Sequence, residues 1–310
     1  MFKQKIAIIN EETGEVRAYD IVKQAINNIN RYIVGVDRKY GIIDEKGNEL
    51  CNIKYDVEIS THHYSGRFIV SSNGKYGFIN LDGKEVCEPK YDIVNFYTNG
   101  FAIVKLNEKY GFIDMEGKEI CNIEYECVKD FNEMCAPAKK NGKWGIIDSC
   151  GNVICDFKYE QMDYLTNGLW QVRKNGDFYS LLNENFEEIT PFKYTSISTP
   201  FDNSDIIKVS DGFHYGFISR TGEEMIPIIY DYFFDIGDYP LIAEKGVKWG
   251  IISRDGKILV DFKYDHISLF DQNGYAELTQ YRKARTMEGT YKHTQWTDIN
   301  GKIYDIKPTF

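Results

Sequence analysis

The chain has 310 residues, 43% hydrophobic and 15% aromatic, with 23 Tyr and 19 Phe against only 7 Pro, the profile of an ordered, β-leaning protein and not a disordered one. A net charge of −10 without any basic run argues against nucleic acid, whose phosphates are met by clustered Lys or Arg. No apolar stretch approaches the ~20 residues of a membrane span, and the start holds only the short run Ile6-Ala7-Ile8-Ile9, too little for a signal-peptide core, so the expected location is the cytoplasm.

In chain order, residues 1–31 form a partial unit with a hairpin around Gly14 and the pair Tyr19-Asp20. The apolar spacing of Ile21, Val22, Ala25, Ile26 and Ile29 suits a short helix. Seven full repeats follow over residues 32–274. Their first marker is an aromatic-Gly pair, at Tyr40-Gly41, Tyr76-Gly77, Tyr110-Gly111, Trp144-Gly145, Tyr215-Gly216 and Trp249-Gly250, recurring every 34 to 36 residues with one double interval. The copy inside that interval reads as Phe178-Tyr179, with Tyr in the place of Gly.

Four residues after each aromatic stands Asp44, Asn80, Asp114, Asp148, Ser219 or Ser253, and three further on Gly47, Gly83, Gly117, Gly151, Gly222 or Gly256. These are tight hairpin turns: the polar side chain bonds the turn backbone, and Gly takes a positive φ. In the altered copy Asn185 takes the Gly place. The second marker is Tyr followed by an acid, at Tyr55-Asp56, Tyr91-Asp92, Tyr125-Glu126, Tyr159-Glu160, Tyr230-Asp231 and Tyr264-Asp265, with Tyr194-Thr195 in the altered copy. Before each aromatic, alternating pairs such as Phe68/Val70 and Ala102/Val104 predict a strand with one buried face. Each unit therefore reads as three strands and a link of about ten residues. Residues 275–310 hold a degraded last copy, which keeps the turn at Asp298 to Gly301 and loses the aromatic-Gly pair.

The segments Lys143-Trp144-Gly145-Ile-Ile-Asp148-Ser-Cys-Gly151 and Lys248-Trp249-Gly250-Ile-Ile-Ser253-Arg-Asp-Gly256, each followed by a Lys-Tyr-acid, resemble the bacterial WG (KWG) repeat family, in a divergent form. The resemblance implies a β-rich interaction module and no shared catalytic residues. The expected fold is all-β: one domain, residues 1–310, made of about eight tandem β-hairpin units of about 35 residues. Hairpins at both ends favour an open, solenoid-like array; a seven- or eight-bladed β-propeller is the alternative.

Seven cysteines without a CxxC or a Cys/His pair at zinc spacing fit reduced thiols. Cys51, Cys87, Cys121 and Cys155 fall at one repeat position, shared with Thr190, Ile226 and Val260, which points to core packing and not to a metal. The acids after the repeat Tyr, with Lys54, Lys90, Lys158, Lys193 and Lys263 two residues before them, read as backbone caps and ion pairs and not as a carboxylate ladder. No HExxH, G-x-S-x-G or phosphate loop occurs, so no enzyme, catalytic residue, metal or cofactor is expected. The aromatic-Gly rings are expected to wedge between neighbouring units. A binding surface is sought where the copies differ, at His62, His63, Phe96, Tyr97, Tyr164, Tyr232 and Phe233. The reading is a non-enzymatic module for an unidentified protein partner, basic to match the negative charge, for example a toxin; the alternative is a carbohydrate- or cell-wall-binding module. Neither nucleic acid nor a membrane is expected as a partner.

Overall fold

The computed structural model describes residues 5–26, 29–56, 59–60, 65–132, 134–198, 206–234, 237, 239–283 and 290–308. Every regular element among them is a β-strand, paired antiparallel with its sequence neighbours into nine small sheets. The chain divides into two compact units, Met1–Lys158 and Tyr159–Phe310. In the first, a hairpin of Ile6–Ile9 and Val16–Tyr19 precedes the sheet Ile21–Ile26, Ile29–Val36, Lys39–Asp44 and Glu49–Tyr55. Three sheets follow, built on the aromatic-Gly strands Lys75–Asn80, Lys109–Ile113 and Lys143–Asp148. The second unit holds four sheets, built on Tyr179–Leu182, Tyr215–Ser219, Lys248–Ile252 and Thr290–Asp298.

Three expectations change. The ten-residue link is not plain loop, because a short fourth strand starts right after the acid, as in Cys127–Val128 and Tyr232–Phe234, or after Thr195 in the altered copy, as Ser196–Ser198, and pairs with the strand that follows. Residues 21–26 are such a strand, not a helix; a bulge between Gln24 and Ile26 interrupts the two-residue alternation and leaves a spacing that imitates a helical face. The last copy, degraded in sequence, is a four-stranded sheet of His266–Ile267, Tyr275–Lys283, Thr290–Asp298 and Ile303–Tyr304.

Within each unit the sheets are sandwiched between neighbours, so their middle strands are buried on both faces and not on one. Ala102, Ile103 and Val104 are all buried. The two apolar residues after the aromatic-Gly pair serve opposite cores. Phe78 joins the cluster with Tyr91, Tyr97 and Val104, while Ile79 joins the preceding one with Tyr55 and Phe68. Phe112 and Ile113 divide in the same way, as do Phe217 and Ile218.

The glycine of the pair is required by close approach. Tyr76 pairs with Tyr91 and Phe78 with Cys87, so Gly77 alone faces the three residues 88–90 and the bulged strand folds down onto it. A Cβ there would lie 2.6 Å from the Cys87 carbonyl oxygen, and one at Gly145 would lie 2.5 Å from that of Cys155. The altered copy is misaligned by one residue in the sequence reading. Arg173 faces Tyr179 and Val172 faces Ser180, so Tyr179 is the aromatic and Ser180 replaces Gly, while Phe178 is outside the pattern and exposed. The turn place belongs to Phe186, at φ 62, and not to Asn185. Fully buried, the Ser180 hydroxyl donates to the Thr190 carbonyl at 2.6 Å, and the Thr190 hydroxyl accepts the Leu181 N–H at 2.9 Å.

The turns form as expected: Asp114 accepts the N–H groups of Glu116 and Lys118 at 3.1 and 2.9 Å, and Asn80 does the same for Asp82 and Lys84. Their glycines also make the seam between sheets. At Gly117, φ 80, a Cβ would lie 2.3 Å from the Val86 carbonyl oxygen of the preceding sheet; at Gly151, φ 82, it would lie 2.2 Å from that of Ile120.

Candidate interaction surface

The residues singled out from sequence divide into buried and exposed ones. Tyr97 is buried, its hydroxyl donating to the Asp114 carbonyl at 2.9 Å and its ring edge-on to Phe78 at 4.9 Å. Phe233 is likewise core, packed edge-on against Phe217 and Tyr230. Both are corrected from binding residues to packing residues. Phe96, Tyr164 and Tyr232 are exposed, and His62 and His63 lie outside the described residues.

The wedges between sheets are the tyrosines of the Tyr-acid pairs, not the aromatic-Gly rings. Tyr55, Tyr91 and Tyr159 have no exposed surface, and their hydroxyls donate to Glu85, at the start of the strand Glu85–Tyr91, and to Glu119 and Glu188, which form single bridges to Ile113 and Leu182, at 3.1, 3.0 and 2.9 Å. Burial, with the adjacent carboxylate, raises the Tyr55 and Tyr91 pKa well above the usual phenol range. Lys54 and Lys90 reach those same glutamates, at 2.8 Å each, and not the acid beside them. The aromatic-Gly rings are half-buried, and three lie beneath cations, with Lys105 Nζ 5.4 Å from the Tyr110 centroid, Lys129 5.1 Å from Trp144 and Lys208 4.4 Å from Tyr215.

The acid of each pair caps the hairpin tip of the following sheet. Asp56 accepts the Asn73 N–H at 2.5 Å, Asp92 the Asn107 N–H at 2.8 Å and Asp231 the Gly246 N–H at 2.5 Å, while Asp265 accepts the Tyr281 N–H at 2.6 Å within the longer strand Tyr275–Lys283. The cation partner is the lysine before the aromatic: Lys39 for Asp56, Lys75 for Asp92 and Lys248 for Asp265. That lysine, more than the capped N–H, holds these carboxyls below their ordinary range.

Cys51, Cys87 and Cys155 are buried. The Sγ atoms of Cys51 and Cys87 accept backbone N–H groups from Ile42 and Phe78, the bond that Thr190 makes to Leu181. Burial pushes both thiols up to about 11. With a thiol-reactive disulfide reagent at pH 8, Cys127 and Cys150, which are exposed, should give the fast phase, and Cys51 and Cys87 should react only on unfolding. Rapid labelling of Cys51 by peptide mapping would contradict this packing.

One edge of the second unit differs from the rest. In the first unit the tips between the second and third strands are polar: Asp37-Arg38, Asn73-Gly74, Asn107-Glu108 and Asn141-Gly142. In the second, three successive tips carry an exposed apolar side chain: Phe178, Phe213 at 85% exposure and Val247 at 78%. Beside them lie half-buried Tyr215, exposed Tyr232 and Phe234, and Trp249, whose ring stacks on Phe234 at 5.4 Å; Lys208 bridges Tyr215 and Tyr232. Val247 has φ 62, a left-handed conformation that β-branched residues avoid. Sequence reasoning named Tyr232 here and missed the tips, whose signal is an apolar residue after Gly212 and Gly246 where the first unit has Asp-Arg, Asn-Gly or Asn-Glu.

The family model of the WG containing repeat matches residues 40–76, 76–110, 110–144, 144–176, 215–242 and 249–280. The chain belongs to the WG-repeat family. The matched windows leave out residues 177–214, where Ser180 replaces the WG-repeat glycine. No curated protein matches. Among solved structures the chain is similar to Kluyveromyces lactis Hsv2, at 9% identity and TM-score 0.32, covering 88% of this chain and 97% of that one. It is also similar to a eukaryotic initiation factor, at 10% identity and TM-score 0.33, covering 97% and 96%. A third is the extracellular domain of the putative hybrid two-component system BT3049 from B. thetaiotaomicron, at 9% identity and TM-score 0.26, covering 99% and 50%. Likenesses at this level carry no argument about function.

Proposed function

We propose that this WG-repeat chain is a non-enzymatic interaction module that docks a protein partner on the tip edge of its second unit. The carrying observation is Val247, exposed and held at φ 62 at a tip where the first unit uses Asn, Gly and charged residues. Backbone strain retained at a solvent-facing apolar residue has no use in packing and is a mark of a contact surface. Phe178, Phe213, Tyr232 and Phe234 extend that surface across three sheets of one unit. Asp177, Asp211, Asp231 and Glu244 beside it, with the net charge of −10, suit a partner that is basic around an apolar centre, of which a toxin is one kind. The carbohydrate reading is less favoured, because Phe234 already stacks on the Trp249 ring that a sugar would use.

A photo-crosslinking residue placed at Phe213, and separately at Asn107 as a control, tests this in the lysate of the organism that encodes the chain. A single basic protein captured from position 213 and absent from position 107 is the expected result; equal capture from both removes the tip edge from consideration. Relief of the strain gives a second check. Val247→Asn should stabilise the fold by about 1 kcal/mol, since Asn tolerates the left-handed region that costs other L-residues roughly 1–2 kcal/mol, and should at the same time weaken capture. A thermal melt and the crosslinking yield read the two effects separately.

A further inference from the structure

In the sheet of Ile21–Tyr55 the residue facing the aromatic-Gly ring is Gly35, where the corresponding places hold Ser71 opposite Tyr76, Lys105 opposite Tyr110, Lys139 opposite Trp144 and Glu244 opposite Trp249. Gly35 is buried, with its Cα against the Tyr40 ring: a Cβ would meet ring atoms at 3.2 Å. Next to that ring is a cavity of about 300 Å³ lined by Asp20, Ile21, Gly35, Asp37, Arg38 and Tyr40. In two of the other sheets the chain places a cation there itself, with Lys105 Nζ 5.4 Å from the Tyr110 centroid and Lys139 Nζ 6.0 Å from that of Trp144.

We propose that the Tyr40 cavity binds an alkylammonium group, which takes at this ring the place that Lys105 and Lys139 hold in two other sheets. The ring supplies the cation–π face and Ile21 the apolar wall for the alkyl chain. Asp20 and Asp37 supply the counter-charge, Asp20 while also accepting the Asp37 N–H at 2.9 Å. Three other cations bear on the site. Lys5 lies 3.6 Å from Asp20, Arg38 lines the cavity, and Lys39 is engaged by Asp56. The first two compete with the ligand, so removing either should strengthen binding. This site is in the first unit and is independent of the tip edge.

The test is titration of the full chain with n-butylammonium and, separately, with a short peptide carrying one lysine, followed by amide shifts of residues 20, 21, 35 and 40. Saturable shifts confined to these residues are expected, weakened about tenfold in Tyr40→Leu, abolished in Gly35→Lys and strengthened in Arg38→Gln. Binding of both probes identifies the ammonium as the recognised group; binding of the peptide alone restricts the source to protein lysines. If Gly35→Lys does not fold, Arg38→Gln and Lys5→Gln decide. Absence of saturable shifts with both probes, or shifts unchanged in Tyr40→Leu and in Arg38→Gln, overturns the proposal.

Discussion

Gly117→Ala is expected to destabilise the first unit by about 2–5 kcal/mol, combining roughly 1–2 kcal/mol for an L-residue in the left-handed region with about 1–3 kcal/mol for overpacking. The Cβ has nowhere to go, since it would stand 2.3 Å from the Val86 carbonyl oxygen, a backbone atom of the neighbouring sheet. Gly142→Ala is the control. That glycine has φ 74, close to the 80 of Gly117, but nothing lies within 4 Å of the added carbon. It should lose only the conformational part, about 1–2 kcal/mol. Urea unfolding of the two variants separates the seam from the turn; equal midpoints would show that the sheets yield at this contact.

The second large effect concerns the glycine of the aromatic-Gly pair. Gly145→Ser alone should cost about 1–3 kcal/mol, because its Cβ would lie 2.5 Å from the Cys155 carbonyl oxygen. Cys155→Thr in the same chain should return about 1 kcal/mol by giving the hydroxyl pair that Ser180 and Thr190 form in the altered copy. A double-mutant cycle reads the coupling directly. Zero coupling would mean that Ser180 and Thr190 are compatible for reasons other than their contact.

The repeat, its period and its hairpin turns were legible because turn chemistry and close backbone approach tolerate so few residue types. Asp114 and Gly117 carry their reasons in their own side chains. The short strand after the acid was not legible: where it has two or three residues, as in Cys127–Val128, it is too brief for alternation to register, and the six-residue examples Ile21–Ile26 and Gln161–Thr166 are bulged. The helix expected at residues 21–29 failed for a related cause, a bulge that breaks the period. The shift of one residue at Tyr179 arose because the tip before it is longer, and only the pairing with Arg173 fixes the register. For the surface, variability among copies located Phe96, Tyr164 and Tyr232 but could not separate them from buried Tyr97 and Phe233, since alternation in Tyr232–Phe234 and the path of the link at Phe96-Tyr97 decide which neighbour faces out. Arg38 and Gly35 drew no notice, because what marks the Tyr40 cavity is a missing side chain.

The caps at the hairpin tips have a direction. Each acid reaches forward to the next tip, as Asp56 does to Asn73, while each turn glycine rests backward on the preceding sheet, as Gly83 does on Leu50. Gly47 finds its seat on Ile9 and Asn10 of the terminal hairpin, which stands in for a preceding sheet. A unit thus carries one forward and one backward connector, and both are written at fixed offsets from its own aromatic. Copying such a segment in tandem leaves every connector matched to a counterpart, so a gene of this design can grow or shrink by whole repeats without inventing a new contact. A deletion of half a repeat leaves a connector unmatched on each side of the cut.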